Sequence, residues 1–227
     1  MRSSARLAAV VAAGYWFPAT SAVLRPLGTA LDIAYRGHTR DAVSLTFDDG
    51  PHLQGTPAVL DTLERYNARA TFFLVGEQVL RYPTLAAEIV AAGHQVGLHC
   101  HRHRLLLRLA PWTLEDDLRR AEAAIVDAVG REIRLYRPPY GILTLPAILS
   151  ARSRGWHTIL WTRQGRDWSH RATVTSIAGR LTEELAGRDI LLLHDADHYS
   201  APESWKRTVG ALPIVLEAMA ARGLAAA

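Results

Sequence analysis

The sequence predicts an α/β protein built on a parallel sheet, and three observations carry that prediction. Strand-like apolar runs alternate with helix-periodic segments along almost the whole chain. Those runs are continuously apolar, as strands covered on both faces must be. No glycine-rich phosphate loop follows the first strand, which removes the usual support for a nucleotide-binding doubly wound sheet. About seven strand candidates are enough for a barrel or near-barrel in one domain, with an open doubly wound sheet as the alternative.

Taken in order, Leu24 to Asp41 reads as an irregular approach broken by Pro26, Gly28 and Gly37. Ala42 to Phe47 is the first strand, stopped by Asp48-Asp49 and a Gly-Pro turn. A helix from about Ala58 to Tyr66 follows. Ala70 to Val75 is the second strand, and Pro83 to Ala92 a helix that Gly93 terminates. Gln95 to Leu98 makes the third strand. Trp112 to Val129 is a longer helix charged on one face; Arg134 to Tyr136 is a short strand and Pro146 to Arg154 a helix. Strand His157 to Trp161, helix Val174 to Leu185, strand Asp189 to Leu193 and helix Thr208 to Arg222 complete the alternation, with Leu224 to Ala227 as a weak last strand.

Composition bounds the partners. The 227 residues are 49% hydrophobic and 21% charged, which excludes disorder and a multi-span membrane protein. The net charge of +4 comes from scattered arginines without a basic run or an interleaved basic and aromatic surface, so no nucleic acid is expected. A basic surface suits acidic envelope polymers or anionic headgroups. Cys100 is the only cysteine, which excludes an internal disulfide. Residues 1–28 read as an apolar leader. Arg2 and Arg6 precede a charge-free stretch from Leu7 to Leu24 with small residues near its end, the pattern of an export signal or a membrane anchor. The expectation is an exported or membrane-associated protein touching a membrane surface through its N-terminus, with the catalytic domain at 29–227; the alternative is an amphipathic leading helix that packs on the domain or sits at a membrane interface, which leaves a cytoplasmic location open.

The polar residues that break the apolar pattern sit directly after strand candidates, where parallel α/β folds place their sites. They are Asp48-Asp49, His99-Cys-His-Arg-His103, Arg137-Pro-Pro-Tyr140, Asp167-Trp168 and His194-Asp195. Adjacent carboxylates repel, so holding both ionised requires a cation or a proton. His99 and His103 are four residues apart, which on a helical turn aims both imidazoles at one point. With one carboxylate they form a two-histidine, one-carboxylate set that leaves positions open for water and substrate on a divalent metal. Zinc suits that set best; cobalt, nickel or manganese fits the same ligands. The bland alternative places these histidines on a solvated basic loop, since Arg102 and Arg104 are interspersed. Likewise Trp168 is as readily core as pocket wall, and Leu192 is core in any parallel strand. Cys100 reads as a small buried residue with nothing to activate it.

These motifs, spread from about Ala42 to Leu224, resemble the metal-dependent polysaccharide deacetylases of the NodB-like carbohydrate esterases. The resemblance implies a distorted, incomplete (β/α) barrel. It implies that Asp48 of Thr46-Phe-Asp-Asp-Gly-Pro51 is the general base and Asp49 a metal ligand. His99 and His103, the outer histidines of the second motif, complete the metal site. Arg137 orients the base, and the backbone NH of Tyr140 helps to hold an oxyanion. His194 is the general acid, Leu192 lines the acyl pocket, and Asp167 and Trp168 of the fourth motif are expected with Tyr140 and Gln164 in the substrate pocket. One departure stands out. The family's acid-orienting Asp is expected three residues before the Asp-Trp pair, where this chain has Gln164. A neutral amide does not favour an imidazolium as a carboxylate does, which weakens His194 or leaves Asp167, Asp195 or Asp197 to replace it.

The implied activity is removal of an N-acetyl or related acyl group from an amino sugar in a polysaccharide or cell-envelope glycan. Deacylation or deformylation of a lipid-linked sugar is the alternative within the same chemistry. A non-catalytic carbohydrate-binding module is the alternative outside it, and only Gln164 supports it.

Overall fold

The computed structural model describes Pro18 and residues 25–227. Of the leader expected over residues 1–28, all but Pro18 and residues 25–28 lie outside the described residues. No helix among the described residues is long and apolar enough to cross a membrane.

Strand β2 (Ala42–Asp48) lies between β3 (Thr71–Val75) and β8 (Ile190–His194). From β3 the sheet steps outward through β4 (Gln95–Cys100), β5 (Leu135–Tyr136) and β6 (His157–Ile159) to β1 (Ile33–Ala34). On the other side β8 pairs with β7 (Arg163–Gln164). The short β9 (Ala225–Ala226) adds to the start of β2. Every pairing is parallel, and no ladder joins β7 back to β1 among the described residues. The steady progression from β2 to β6 has no reversal between them, so the sheet curls into an incomplete barrel and the doubly wound alternative falls away.

Helices cover the outside: α1 (Arg25–Ala30), α2 (Gly55–Arg65), α3 (Gly76–Arg81), α4 (Pro83–Ala91), α5 (Pro111–Val129), α6 (Leu145–Ser153), α7 (Val174–Thr182) and α8 (Ser204–Ala220). Side chains on a strand alternate between faces. Val43, Leu45 and Phe47 of β2, Phe72 and Leu74 of β3, and Leu191 and Leu193 of β8 therefore belong to the core beneath the helices. The other set faces the barrel interior, which is why Thr46 and Asp48, Phe73, His99, and Leu192 and His194 share one lumen. Gly97 of β4 makes room there, since a Cβ at that position would run into the Phe73 ring at 2.6 Å.

Three elements differ from expectation for physical reasons. The approach to β2 is not wholly irregular: α1 and the two-residue β1 lie in it, and β1 exists because its backbone pairs with Thr158 and Ile159 of β6. Strand β7 is equally short and polar, and its pairing with Leu191 and Leu192 forms it without any hydrophobic period. Helix α3 is one turn and a half, too short for periodicity to show.

Candidate active site and metal centre

The site lies at the carboxyl rim of β2, β4 and β8. Register places it: Asp48 sits opposite both Phe73 and His194, so the acid and the histidine are cross-strand neighbours before any loop is considered. The chain turns sharply just beyond. Asp49 takes φ of 79°, in the left-handed region that Asp tolerates better than most residues. A Cβ on the following Gly50 would collide with the Asp195 carboxylate, so only glycine fits between them.

Asp49, His99 and His103 come together. A ligand atom from each lies within 4.8 Å of the others, and the Nε2 atoms of His99 and His103 are 3.6 Å and 3.5 Å from Asp49 Oδ1. The helical-turn rationale for the histidines does not hold, because His99 is the fifth residue of strand β4 and His103 lies in the coil beyond it. Extended backbone followed by a tight reversal achieves the same convergence. Asp49 Oδ1 is buried without a hydrogen-bond partner among the described residues. A buried, unpartnered carboxylate oxygen facing two imidazoles fits a divalent cation held by these three residues. Burial pushes Asp49 up to about 7, with the neighbouring Asp48, Asp195 and Asp167 charges adding to it against His194. Burial also drives both imidazoles down to about 3, so they are neutral, the form a metal requires.

Arg137 is not a surface cation but a fully buried one. Its Nη1 donates to Asp48 Oδ1 at 2.7 Å and to Thr46 Oγ1 at 2.8 Å, while Nε and Nη2 donate to the carbonyls of Ile159 and Leu160. The guanidinium lies 4.1 Å from the Phe73 ring centroid. Burial raises the Asp48 pKa, and the Arg137 pair opposes that rise without cancelling it.

On the far side of the pocket His194 Nδ1 meets Asp167 Oδ1 at 3.0 Å, and the other Asp167 oxygen accepts from the His194 backbone at 2.7 Å and from Thr208. Of the three carboxylates that could replace the acid missing at position 164, Asp167 of the Asp-Trp pair is the one that holds the histidine, while Gln164 lines the cavity from β7. Burial disfavours the imidazolium, yet the Asp167 carboxylate, with Asp49 and Asp48 behind it, carries His194 up to about 10. Its Nε2 points toward Asp49 Oδ2 at 3.9 Å.

A cavity of about 220 Å³ joins these groups. Asp48, Asp49, His99, His103, Tyr140, Gln164, Trp168, Leu192 and His194 line it, with Arg137 and Asp167 behind the wall. Trp168 packs edge-on against His194 with centroids 5.3 Å apart, and so is pocket wall. Tyr140 sits at φ of 60°, a costly conformation for a bulky residue and one that concentrates at functional sites. Cys100 is buried and its thiol raised well above the ordinary value by burial, so it stays unreactive. Sequence reasoning passed over Trp161, Tyr199 and Ser200, which also line the cavity. Tyr199 and Ser200 lie on the loop after β8, which the sequence marks as unusually rich in polar and aromatic residues and able to shape the substrate without singling out either residue.

Together the curled parallel sheet and the acid–imidazole cluster at its carboxyl rim define an α/β-barrel hydrolase. The chain belongs to the polysaccharide deacetylase family, whose model matches residues 36–159. It is similar to a peptidoglycan-N-acetylglucosamine deacetylase of Bacillus cereus, 33% identical over 183 residues that cover 80% of this chain and 83% of that protein. A chitooligosaccharide deacetylase of Bradyrhizobium sp. (strain ANU 289) is 35% identical over 189 residues, covering 80% and 86%. A solved peptidoglycan N-acetylglucosamine deacetylase superposes with a TM-score of 0.80 at 26% identity, covering 88% of this chain and 92% of that one.

Proposed function

We propose that the protein hydrolyses the N-acetyl amide of an amino sugar in a peptidoglycan-like or chitin-like glycan, with a divalent cation, zinc by preference, held by Asp49, His99 and His103. The observation that carries this reading is the convergence of those three ligand atoms in one cavity, with a carboxylate and an imidazole flanking them. A cation bound there supplies a polarised amide carbonyl and a water of lowered pKa.

The chain's own groups supply the rest. Asp48, paired with Arg137, takes the proton of the attacking water. The backbone NH of Tyr140 donates to the oxyanion of the tetrahedral state. As the carbon–nitrogen bond breaks, His194 gives its Nε2 proton to the departing nitrogen, since an amine leaves poorly unless protonated. Asp167 keeps that imidazole charged and correctly turned. Acetate and a free amine result, and Trp168 and Leu192 form the wall against which an acetyl methyl packs. Residues 1–28 serve, in this reading, as the leader that brings the domain to the envelope.

The test is acetate release from chito-oligosaccharides, peptidoglycan and lipid-linked amino sugars, using enzyme stripped by chelation and then reloaded. Release from the glycans that disappears on stripping and returns with zinc is the expected result. Release confined to the lipid-linked sugars would overturn the glycan substrate, and release indifferent to chelation would overturn the metal. Sugar binding without release, equal in stripped and loaded protein, would make the chain a binding module.

A further inference from the structure

We propose that Tyr199 is a positioning residue for His103, bracing by ring stacking an imidazole that lacks the usual hydrogen bond; the inference rests on the reading of Asp49, His99 and His103 as a metal site. The two imidazoles are held in unlike ways. His99 donates from Nδ1 to the carbonyl of Arg137 at 2.7 Å, which fixes its tautomer and turns Nε2 toward Asp49. His103 presents its Nε2 to the same carboxylate, but its buried Nδ1 finds no hydrogen-bond partner in any other described residue and meets only its own backbone. An imidazole that ligates a metal ordinarily has its second nitrogen anchored, and the anchor governs affinity. At His103 a different constraint must do this.

The Tyr199 ring supplies it. It lies nearly parallel to the His103 imidazole, with centroids 4.6 Å apart and planes 15° from one another. Tyr199 is itself tied down. Its hydroxyl donates to Glu77 Oε1 at 2.7 Å and accepts from Gln78 Nε2 at 3.0 Å, both near the start of α3. The Glu77 backbone in turn donates to the carbonyl of His101, two residues before the braced histidine. Ring, hydroxyl, helix start and strand exit thus form a closed circuit around His103. The loop bearing Tyr199 is pinned twice more, by His52 against Asp197 at 3.3 Å and by His198 against the Pro51 carbonyl at 3.3 Å. Tyr140 touches His103 only edge-on and is largely exposed, so it is the lesser support.

The experiment compares the parent with Tyr199→Phe and Tyr199→Ala. Zinc dissociation constants come from chelator competition, ligand geometry from the visible absorption of the cobalt form, and folding from the thermal midpoint of metal-free protein. Tyr199→Ala should bind zinc about 10–100-fold more weakly, the range for losing a group that orients a ligand, and its cobalt bands should shift. Tyr199→Phe keeps the stacked ring but loses its ties to Glu77 and Gln78, and should fall between the parent and Tyr199→Ala in both readouts. If Tyr199→Ala lowers the thermal midpoint but binds zinc as tightly as the parent with an unchanged cobalt spectrum, Tyr199 merely packs the loop and the assignment fails. A parent protein that binds neither ion would overturn the metal-site reading itself, and this assignment with it.

Discussion

The two ends of strand β8 treat acidic groups in opposite ways. At its start Asp189 is saturated with partners: Arg163 Nε at 2.8 Å, the Ala186 backbone NH at 3.1 Å and Arg36 at 3.6 Å. Burial pushes its pKa up, but the hydrogen bonds from Arg163, Ala186 and Thr162 outweigh burial and bring it below the ordinary value. At the other end Asp48, Asp49, Asp167 and Asp195 are buried together with one arginine and one cationic histidine between them. Asp49 and Asp195 each keep an oxygen without a partner, and both are raised to about 7, mainly by burial. An end built for stability satisfies its charges from within. An end that leaves buried carboxylate unsatisfied is arranged around something that arrives from outside.

If that contrast is right, the largest effect comes from withholding what arrives. Chelation should reduce acetate release to background, zinc should restore it, and the thermal midpoint should rise on reloading because only the folded chain gathers the three ligands. A midpoint indifferent to zinc would contradict the contrast directly. Next comes His194, the proposed proton donor. Asp167→Asn should lower kcat by about 10²–10⁴-fold, since the imidazole loses both its charge partner and its orientation. Gln164→Leu should change kcat little, because Gln164 lines the cavity without holding His194. Equal losses in the two variants would return the orienting role to position 164.

Arg137 tests a charge at this end that, like Asp167, is satisfied from within. Arg137→Met leaves Asp48 buried without its partner and should cost about 3–5 kcal/mol of stability, read from the urea midpoint. Replacing Asp48 by Leu in the same chain should recover part of that loss, since breaking a buried pair is worse than removing it whole. A loss confined to turnover, with the urea midpoint unmoved, would show that the pair carries no structural weight.

The legibility of the chain follows the same division. The site was readable because its chemistry sits on single polar residues that interrupt apolar strands, and Asp48, Asp49, His99, Arg137 and His194 all lie at the end of a strand or just past it. The long helices and apolar strands were readable because periodicity accumulates over many residues. What escaped was set by tertiary pairing: β1 and β7 are two residues each and exist through their neighbours' backbones. The carboxylate that meets His194 was narrowed to three, Asp167, Asp195 and Asp197, and the choice among them escaped for the same reason. Asp167 reaches it across a separation of 27 residues, and spacing within a motif says nothing about which side chain crosses the lumen. His103 converges on Asp49, but not by the helical argument, which the coil after β4 does not obey.

The smallest effect belongs to the other end of β8, and it tests the contrast by its pH dependence. Asp189→Asn removes a carboxylate whose folded pKa lies below the ordinary carboxylate value. A carboxylate depressed by folding stabilises the native state at every pH above its unfolded value and loses that contribution as pH falls through the folded value. The parent should therefore exceed Asp189→Asn by about 1–3 kcal/mol at pH 7, the worth of hydrogen bonds to a charged group. That gap should shrink as the pH drops below about 4. Acetate release at pH 7 should be unchanged, because no atom of Asp189 lines the catalytic cavity. A stability gap that persisted undiminished at acid pH would mean that packing, not charge, accounts for Asp189, and the two ends of the strand would no longer differ in the way argued.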